Sequence, residues 1–132
     1  RAAYTAQGVN AVVGAFFDDM DHRYRQADLI ICRAGATTVA EITAVGKAAL
    51  FIPFPFAADD HQRLNAEALV EQGAAEMIAE KHLTAADLAE RIDRFATDRT
   101  ALDRMADQAK KLGRPEAARL IVDDCYKLIK RR

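Results

Sequence analysis

Residues 16–20, with the sequence FFDDM, form one of three stretches whose composition suits recognition of a nucleotide or a sugar. Two aromatic side chains beside polar groups can flank a planar base, while neighbouring backbone groups hydrogen-bond to the rim of that base. Core packing of Phe16 and Phe17, followed by an aspartate that caps a helix, explains the same residues. The residues alone leave both interpretations open.

The second stretch, RAGATT, covers residues 33–38 and lies between a predicted strand and a predicted helix. Its glycine and small side chains let the backbone approach a ligand, and the free N–H groups at a helix start favour an anion such as phosphate. A tight turn with a threonine N-cap explains the same pattern. Glu41 follows in the helix, where its carboxylate either accepts hydrogen bonds from two adjacent ribose hydroxyls or is merely solvated.

The third stretch, PFPFAADDHQ, covers residues 53–62 and brings Asp60, His61 and Gln62 to the start of another predicted helix. Carboxylate, imidazole and amide groups suit sugar hydroxyls. No third ligand is spaced for a metal ion beside Asp59, Asp60 and His61, so we expect no metal site. The sequence also lacks a Walker loop, a GxGxxG motif and a serine-protease order of residues. Cys32, beside the second stretch, is interpreted as a buried structural thiol.

The elements that must position these stretches alternate between strand and helix patterns. We predict strands over residues 9–17, 29–32, 49–52 and 74–79, with helices over 20–27, 37–45 and 61–72. Parallel strands place their following loops at one edge of the sheet, where ligands bind in α/β folds. Gly46 is placed to end the helix over 37–45. Beyond residue 79 only helical patterns follow: Thr84 with Asp87 resembles a capping arrangement at the start of the first, and the last begins near Pro115. The sequence therefore predicts an α/β fold, with a parallel sheet of about four strands, flanking helices and a helical C-terminal tail.

Length and charge bound the possible functions. The chain has 132 residues, 51% of them hydrophobic, which fits one domain with a real core. Its 19 basic and 20 acidic residues give no field for nucleic acid, so we expect no nucleic-acid partner. The sequence shows no CxxC pair, signal peptide or membrane-spanning run. Lys127, Lys130, Arg131 and Arg132 suit either an anionic lipid surface or the negative end of a helix dipole.

Two segments together resemble a known family. Residues 27–41 (ADLIICRAGATTVAE) and 51–66 (FIPFPFAADDHQRLNA) are similar, in order and spacing, to the C-terminal donor domain of the MurG family of bacterial glycosyltransferases. The resemblance covers the full length, and residues 16–20 fall where that family has its uracil loop. It implies a Rossmann-like part of a GT-B C-terminal domain that binds UDP-GlcNAc without a metal or other cofactor.

The resemblance also implies roles for individual residues, none of them catalytic. The expected contacts run along the donor from base to sugar: the backbone of Phe17, with Met20 beside it, at the uracil, the Arg33, Ala34, Gly35, Ala36 and Thr37 loop at the diphosphate, Glu41 at the ribose, and His61 and Gln62 at the GlcNAc hydroxyls.

The same family implies a hexosyltransferase that transfers GlcNAc to undecaprenyl-pyrophosphoryl-MurNAc-pentapeptide, converting lipid I to lipid II in peptidoglycan synthesis. The resemblance implies that residues 1–132 are a single, partial C-terminal domain, because the family would place the glycine- and serine-rich loop that opens its donor domain upstream of Arg1. The N-terminal domain that would hold lipid I, the base and the membrane contact is absent from this sequence. We therefore expect the chain alone to be inactive.

By the same resemblance, the parent protein is expected in the bacterial cytoplasm, peripheral on the inner face of the plasma membrane. Two alternatives remain from the sequence: a stand-alone nucleotide-binding module, and the donor half of a GT-B transferase that uses another UDP-sugar.

Overall fold

The computed structural model describes residues 2–130, so Arg1, Arg131 and Arg132 lie outside the described residues. Helices and strands alternate in the first half, and helices alone follow the third strand. The three strands are β1 (Leu29–Cys32), β2 (Ala48–Phe51) and β3 (Glu76–Met77). The α-helices are α1 (Ala2–Ala6), α2 (Met20–Gln26), α3 (Ala36–Val45), α4 (His61–Val70), α5 (Ala85–Thr97), α6 (Arg99–Leu112) and α7 (Ala117–Lys130). Two 3-10 turns cover Ala58–Asp60 and Glu80–His82.

The sheet is parallel and has the order β1-β2-β3, which confirms the predicted α/β class. Leu29 pairs with Ala48 at one end of the β1–β2 ladder and Cys32 with Phe51 at the other. All four residues of the central strand β2 are buried, as expected for a parallel strand covered on both faces. The last strand, β3, has only two residues.

The predicted strand over residues 9–17 is wrong, and so is the count of about four strands, since residues 2–130 form three. None of residues 9–17 pairs into a strand. Val12 is 75% exposed and Phe16 is 84% exposed, so the apolar pattern is present but has nothing to pack against. A strand is stable only when a neighbouring strand takes up its N–H and C=O groups, and residues 2–130 offer this segment no such neighbour.

Helices cover both faces of the sheet, as predicted. Side chains alternate along β2, so Ala49 and Phe51 face one core while Ala48 faces the other. The first core adds residues from β1, α3 and α4: Ile30, Ile42, Ala66 and Leu69. The second adds residues from α5 and α6: Phe95, Leu102 and Met105. This packing holds the carboxyl ends of β1 and β2 side by side.

Two predicted helix-end signals are confirmed. Gly46 ends α3 with φ 71°, a left-handed conformation that favours glycine, and its N–H donates to Ile42 O at 2.9 Å. Thr84 caps α5, since its hydroxyl oxygen accepts from the Asp87 N–H at 3.1 Å.

The C-terminal helix α7 begins at Ala117, two residues after Pro115, and every one of its residues is exposed. Its apolar face, which includes Ile121 and Leu128, therefore has no cover from the rest of residues 2–130. No helix in this range combines the length and apolar character needed to cross a membrane.

Candidate functional site

The second and third stretches meet at the carboxyl edge of the sheet. The second leaves β1 and the third leaves β2, and the two strands are paired in parallel. The side-chain amide of Asn65, on α4, donates to Ala34 O at 3.0 Å and joins the two loops directly. Ala34 is fully buried, so its carbonyl depends on this bond. The start of α3 and the start of α4 are thus held together as one unit.

The start of α3 is open toward solvent. Gly35 is the N-cap residue, with φ −65° and ψ 147°, and no side chain caps it. The interpretation of this turn as a threonine N-cap is therefore wrong. The first N–H groups of the helix, which include those of Ala36 and Thr37, lack intrahelical partners and form the positive end of the helix dipole. A Cβ placed on Gly35 would find its nearest protein atom 3.9 Å away, so the protein itself leaves this approach clear.

Arg33 is committed to protein groups. One guanidinium nitrogen donates to Ile52 O and to Pro53 O, each at 3.1 Å, and pairs with the carboxylate of Glu80. The guanidinium also lies 5.6 Å from the ring centroid of Phe54. Arg33 therefore ties the end of β1 to the end of β2 and to the turn that follows β3. Its side chain holds the third stretch in place, which sequence reasoning did not foresee.

Glu41 is exposed on α3, and one of its oxygens accepts a hydrogen bond from the hydroxyl of Tyr24 at 3.3 Å. Burial and the nearby Glu41 carboxylate raise the pKa of Tyr24 above its ordinary value of 10.0. The phenol therefore remains a hydrogen-bond donor throughout the physiological range. Sequence reasoning missed Tyr24, although its spacing of three residues from Ala27 places both on the side of α2 that packs against the first core.

In the first stretch, the ring of Phe17 packs against a guanidinium group. The guanidinium of Arg23 lies 3.8 Å from the ring centroid of Phe17. A Cβ on Gly14 would lie 3.0 Å from the same ring, so Gly14 lets the backbone approach it closely. Asp19 stands at the N-cap position of α2, but its carboxylate accepts from Arg23 at 2.6 Å and not from the helix backbone, and this bond lowers the pKa of Asp19 below its ordinary value of 3.8. The N-cap position predicted for an aspartate is therefore correct, whereas the core packing of Phe16 and Phe17 is wrong.

The first stretch joins the other two only indirectly. Met20 begins α2 and is 38% exposed. Within residues 2–130, the contacts of Phe17 described above are with Arg23 and with the position of Gly14. They do not reach residues 33–41 or 61–62. The link is α2 itself, because Tyr24 on this helix reaches Glu41 on α3.

His61 and Gln62 begin α4 and remain at the surface. His61 Nδ1 donates to Ala58 O at 2.6 Å, so a neutral ring keeps Nε2 as an acceptor. Gln62 accepts from the Phe54 N–H at 3.0 Å, which leaves its amide hydrogens for another acceptor. The preceding residue, Asp60, has φ 54°, an uncommon left-handed conformation outside glycine. Its carboxylate pairs with Arg63, which helps to hold this turn.

A pocket of about 370 Å³ opens where β1 and β2 end, next to the Arg33–Glu80 ion pair. Its lining residues are Ile31, Cys32, Arg33, Ile52, Glu80 and Leu83. Burial raises the pKa of Cys32 to about 11, so its sulfur remains a protonated thiol, in keeping with a structural role. Within residues 2–130, no group of three or more His, Cys, Asp or Glu side chains is arranged to hold a metal ion.

Comparison with known proteins gives consistent results. Residues 2–121 match the family model of the glycosyltransferase family 28 C-terminal domain. A protein of Trichlorobacter lovleyi is 57% identical over 93% of this chain, and one of Syntrophus aciditrophicus is 52% identical over 98%. Both carry the name UDP-N-acetylglucosamine--N-acetylmuramyl-(pentapeptide) pyrophosphoryl-undecaprenol N-acetylglucosamine transferase. The chain spans 32% and 36% of their respective lengths.

Solved structures agree with the sequence relatives. The crystal structure of Acinetobacter baumannii MurG matches 96% of this chain and 38% of its own, with a TM-score of 0.82 and 37% identity. The glycosyltransferase VinC, crystallised with dTDP, matches 83% of this chain and 27% of its own, with a TM-score of 0.63 and 18% identity. The second likeness is one of fold alone.

Proposed function

The chain belongs to the glycosyltransferase family 28 C-terminal domain family, and we propose that it is the donor-binding part of a hexosyltransferase that uses UDP-GlcNAc. The whole protein transfers GlcNAc to undecaprenyl-pyrophosphoryl-MurNAc-pentapeptide in peptidoglycan synthesis. The observation that carries this proposal is 57% identity, over 93% of the chain, to the transferase of Trichlorobacter lovleyi. Because the chain spans about a third of such relatives, acceptor binding and transfer belong to the proposal for the whole protein.

In this proposal the donor lies along the carboxyl edge of the sheet. The N–H groups of Gly35, Ala36 and Thr37 bind the diphosphate, and the uncapped start of α3 supports this role. Ala34, which is fully buried, supports this loop from behind and does not contact the diphosphate itself. The Arg33 side chain, already bonded to Ile52, Pro53 and Glu80, shapes the loop instead of neutralising phosphate.

The first and third stretches bind the two ends of the donor, the uracil and the GlcNAc. Phe17 and Met20 contact the uracil, Glu41 accepts from the ribose hydroxyls, and His61 with Gln62 binds the hydroxyls of GlcNAc. The hydrogen bond from Asn65 to Ala34 supports a single site, since it fixes the sugar-binding end of α4 against the diphosphate loop.

Binding needs no metal or other cofactor in this proposal, because amide N–H groups and the helix dipole supply the positive potential for the diphosphate. The parent protein acts in the bacterial cytoplasm, on the inner face of the plasma membrane. It binds lipid I and the membrane through residues outside this sequence.

Calorimetric titration of the 132-residue chain tests the donor site. We expect UDP and UDP-GlcNAc to bind with EDTA present, and ADP to give no comparable heat. Glu41→Gln should weaken UDP binding on the order of three- to tenfold, since a neutral amide is a poorer acceptor for two hydroxyls. Glu90→Gln, on the exposed face of α5, is the matched control and should bind as the unaltered chain does.

Two results would contradict the proposal. Equal loss of UDP affinity in Glu41→Gln and Glu90→Gln would remove Glu41 from the site. Tighter binding of UDP-glucose than of UDP-GlcNAc would favour the donor half of a transferase with another sugar.

A further inference from the structure

Tyr24 and Glu41 make the hydrogen bond that joins α2 to α3 beside the proposed ribose position. The hydroxyl of Tyr24 donates to Glu41 at 3.3 Å. The Tyr24 ring packs against the first core, whereas Glu41 is exposed. The core thus fixes the position of the Tyr24 hydroxyl. This hydroxyl in turn restrains the Glu41 side chain, which would otherwise be free in solvent.

An exposed glutamate has three rotatable bonds and loses their freedom when it binds a ligand. A partner that already restrains the carboxylate reduces this cost, which is the general benefit of preorganisation. A tyrosine suits this task because its ring has only two torsions, and here the core holds that ring. The carboxylate keeps its second oxygen, and further lone pairs, for two hydroxyl donors.

The same helix also organises the opposite end of the proposed uridine site. Arg23, the residue before Tyr24, covers the Phe17 ring at 3.8 Å and bonds to Asp19 at 2.6 Å. Two successive residues of α2 therefore contact Phe17, whose backbone is proposed for the base, and Glu41, whose side chain is proposed for the ribose.

We propose that Tyr24 is a positioning residue that holds the Glu41 carboxylate ready for the ribose hydroxyls and thereby raises selectivity for ribonucleotides. This inference rests on the proposed function, because it takes Glu41 as the ribose ligand. Tyr24 itself contacts no ligand in this arrangement. It acts through the orientation of Glu41.

The first arm of the test is titration of the full chain with UDP and with 2′,3′-dideoxy-UDP, which lacks both hydroxyls. Tyr24→Phe keeps the ring in the core and removes only the hydroxyl, so we expect UDP affinity to fall about three- to tenfold. Affinity for 2′,3′-dideoxy-UDP should change by less than about twofold, because this nucleotide makes no bond to Glu41. Tyr126→Phe, which removes an exposed hydroxyl on α7, is the control and should change neither affinity.

The second arm needs no ligand. NMR scalar couplings of the Glu41 side chain should report one dominant χ1 rotamer in the unaltered chain and in Tyr126→Phe, and averaging in Tyr24→Phe. Unchanged Glu41 couplings in Tyr24→Phe would overturn the inference, and so would an equal loss of affinity for both nucleotides. A chain that binds no UDP but shows the averaging would contradict the proposed function and keep Tyr24 as the residue that orients Glu41.

Discussion

Asn65 donates its side-chain hydrogen bond to the backbone carbonyl of Ala34 at 3.0 Å, across 31 positions of sequence. The bond ties the second turn of α4 to the loop before α3, at the edge of the sheet where two parallel strands end. A diphosphate held at the start of α3 and a sugar held at the start of α4 would therefore share one rigid support.

Asn65→Ala should lower the free energy of unfolding by about 1–3 kcal/mol, because it leaves a buried carbonyl without a partner. Urea denaturation of the two chains measures this difference. Gln72→Ala, at an exposed turn, is the control and should stay within about 0.5 kcal/mol of the unaltered chain. Equal stability of the Asn65 and Gln72 variants would show that the bond does not hold the loops together.

Gly35→Ala should weaken UDP binding but change the free energy of unfolding little. The added Cβ meets no protein atom closer than 3.9 Å, so we expect a stability change below about 1 kcal/mol. The same methyl group would occupy the approach to the helix start and should weaken UDP binding about fivefold or more, as an overpacked contact does. Unaltered UDP affinity in a folded Gly35→Ala chain would show that the diphosphate does not bind at this turn.

Gly113→Ala should be far more damaging to the fold, although Gly113 has a similar φ of −60°. A Cβ there would lie 2.5 Å from Thr43 O, a backbone atom of α3 that cannot rotate aside. We expect a loss of about 1–3 kcal/mol in the free energy of unfolding, measured by thermal and urea denaturation. A Gly113→Ala chain as stable as Gly35→Ala would contradict the close packing of α6 against α3.

Arg33→Lys should cost more stability than Glu80→Gln. The ion pair is half exposed, with side-chain exposures of 47% and 41%, so Glu80→Gln should cost under about 1 kcal/mol. Lysine cannot reproduce the guanidinium geometry that serves two carbonyls at once, so we expect Arg33→Lys to cost about 1–2 kcal/mol. The reverse order in urea denaturation would mean that the ion pair, and not the carbonyl bonds, anchors Arg33.

The two cysteines should differ in reactivity. Burial raises the pKa of Cys32 from its ordinary 9.0 to about 11, so at pH 8 its sulfur remains protonated, whereas Cys125 is exposed. Iodoacetamide followed by mass spectrometry should find Cys125 alkylated first, with a Cys125→Ser chain labelled slowly. The raised pKa also stabilises the fold below pH 9, and this contribution is lost as the pH rises through about 11. Equal labelling rates at pH 8 would contradict the burial of Cys32.

The sequence predicted the elements wherever the signal was local. The apolar runs of β1 and β2 ended within one residue of their predicted limits, and Gly46 and Thr84 marked helix ends as expected. Residues 9–17 show the limit of this reasoning. An apolar pattern indicates that a segment could pair as a strand, but it does not indicate whether a neighbouring strand lies beside it. Strand pairing is a non-local property.

For the candidate site, the sequence predicted the position of the loops but not the partners of their side chains. The rule that ligands meet the carboxyl edge of parallel strands located the second and third stretches correctly as neighbours. The partners of their side chains were not predictable, since Glu80 lies 47 positions from Arg33 and Tyr24 lies 17 positions from Glu41. Such bonds depend on how helices pack over the sheet, which no spacing in the sequence encodes.

The central claim is that one UDP-GlcNAc molecule binds along the joined loops, and an amide-resolved NMR titration tests it most directly. We expect UDP-GlcNAc to shift the backbone N–H signals of Ala36 and Thr37 and the side-chain amide of Gln62 together, with one common affinity. Signals from α7 should stay unchanged. Saturating UDP-GlcNAc that leaves residues 34–37 and Gln62 unmoved, or that shifts them with different affinities, would contradict the account.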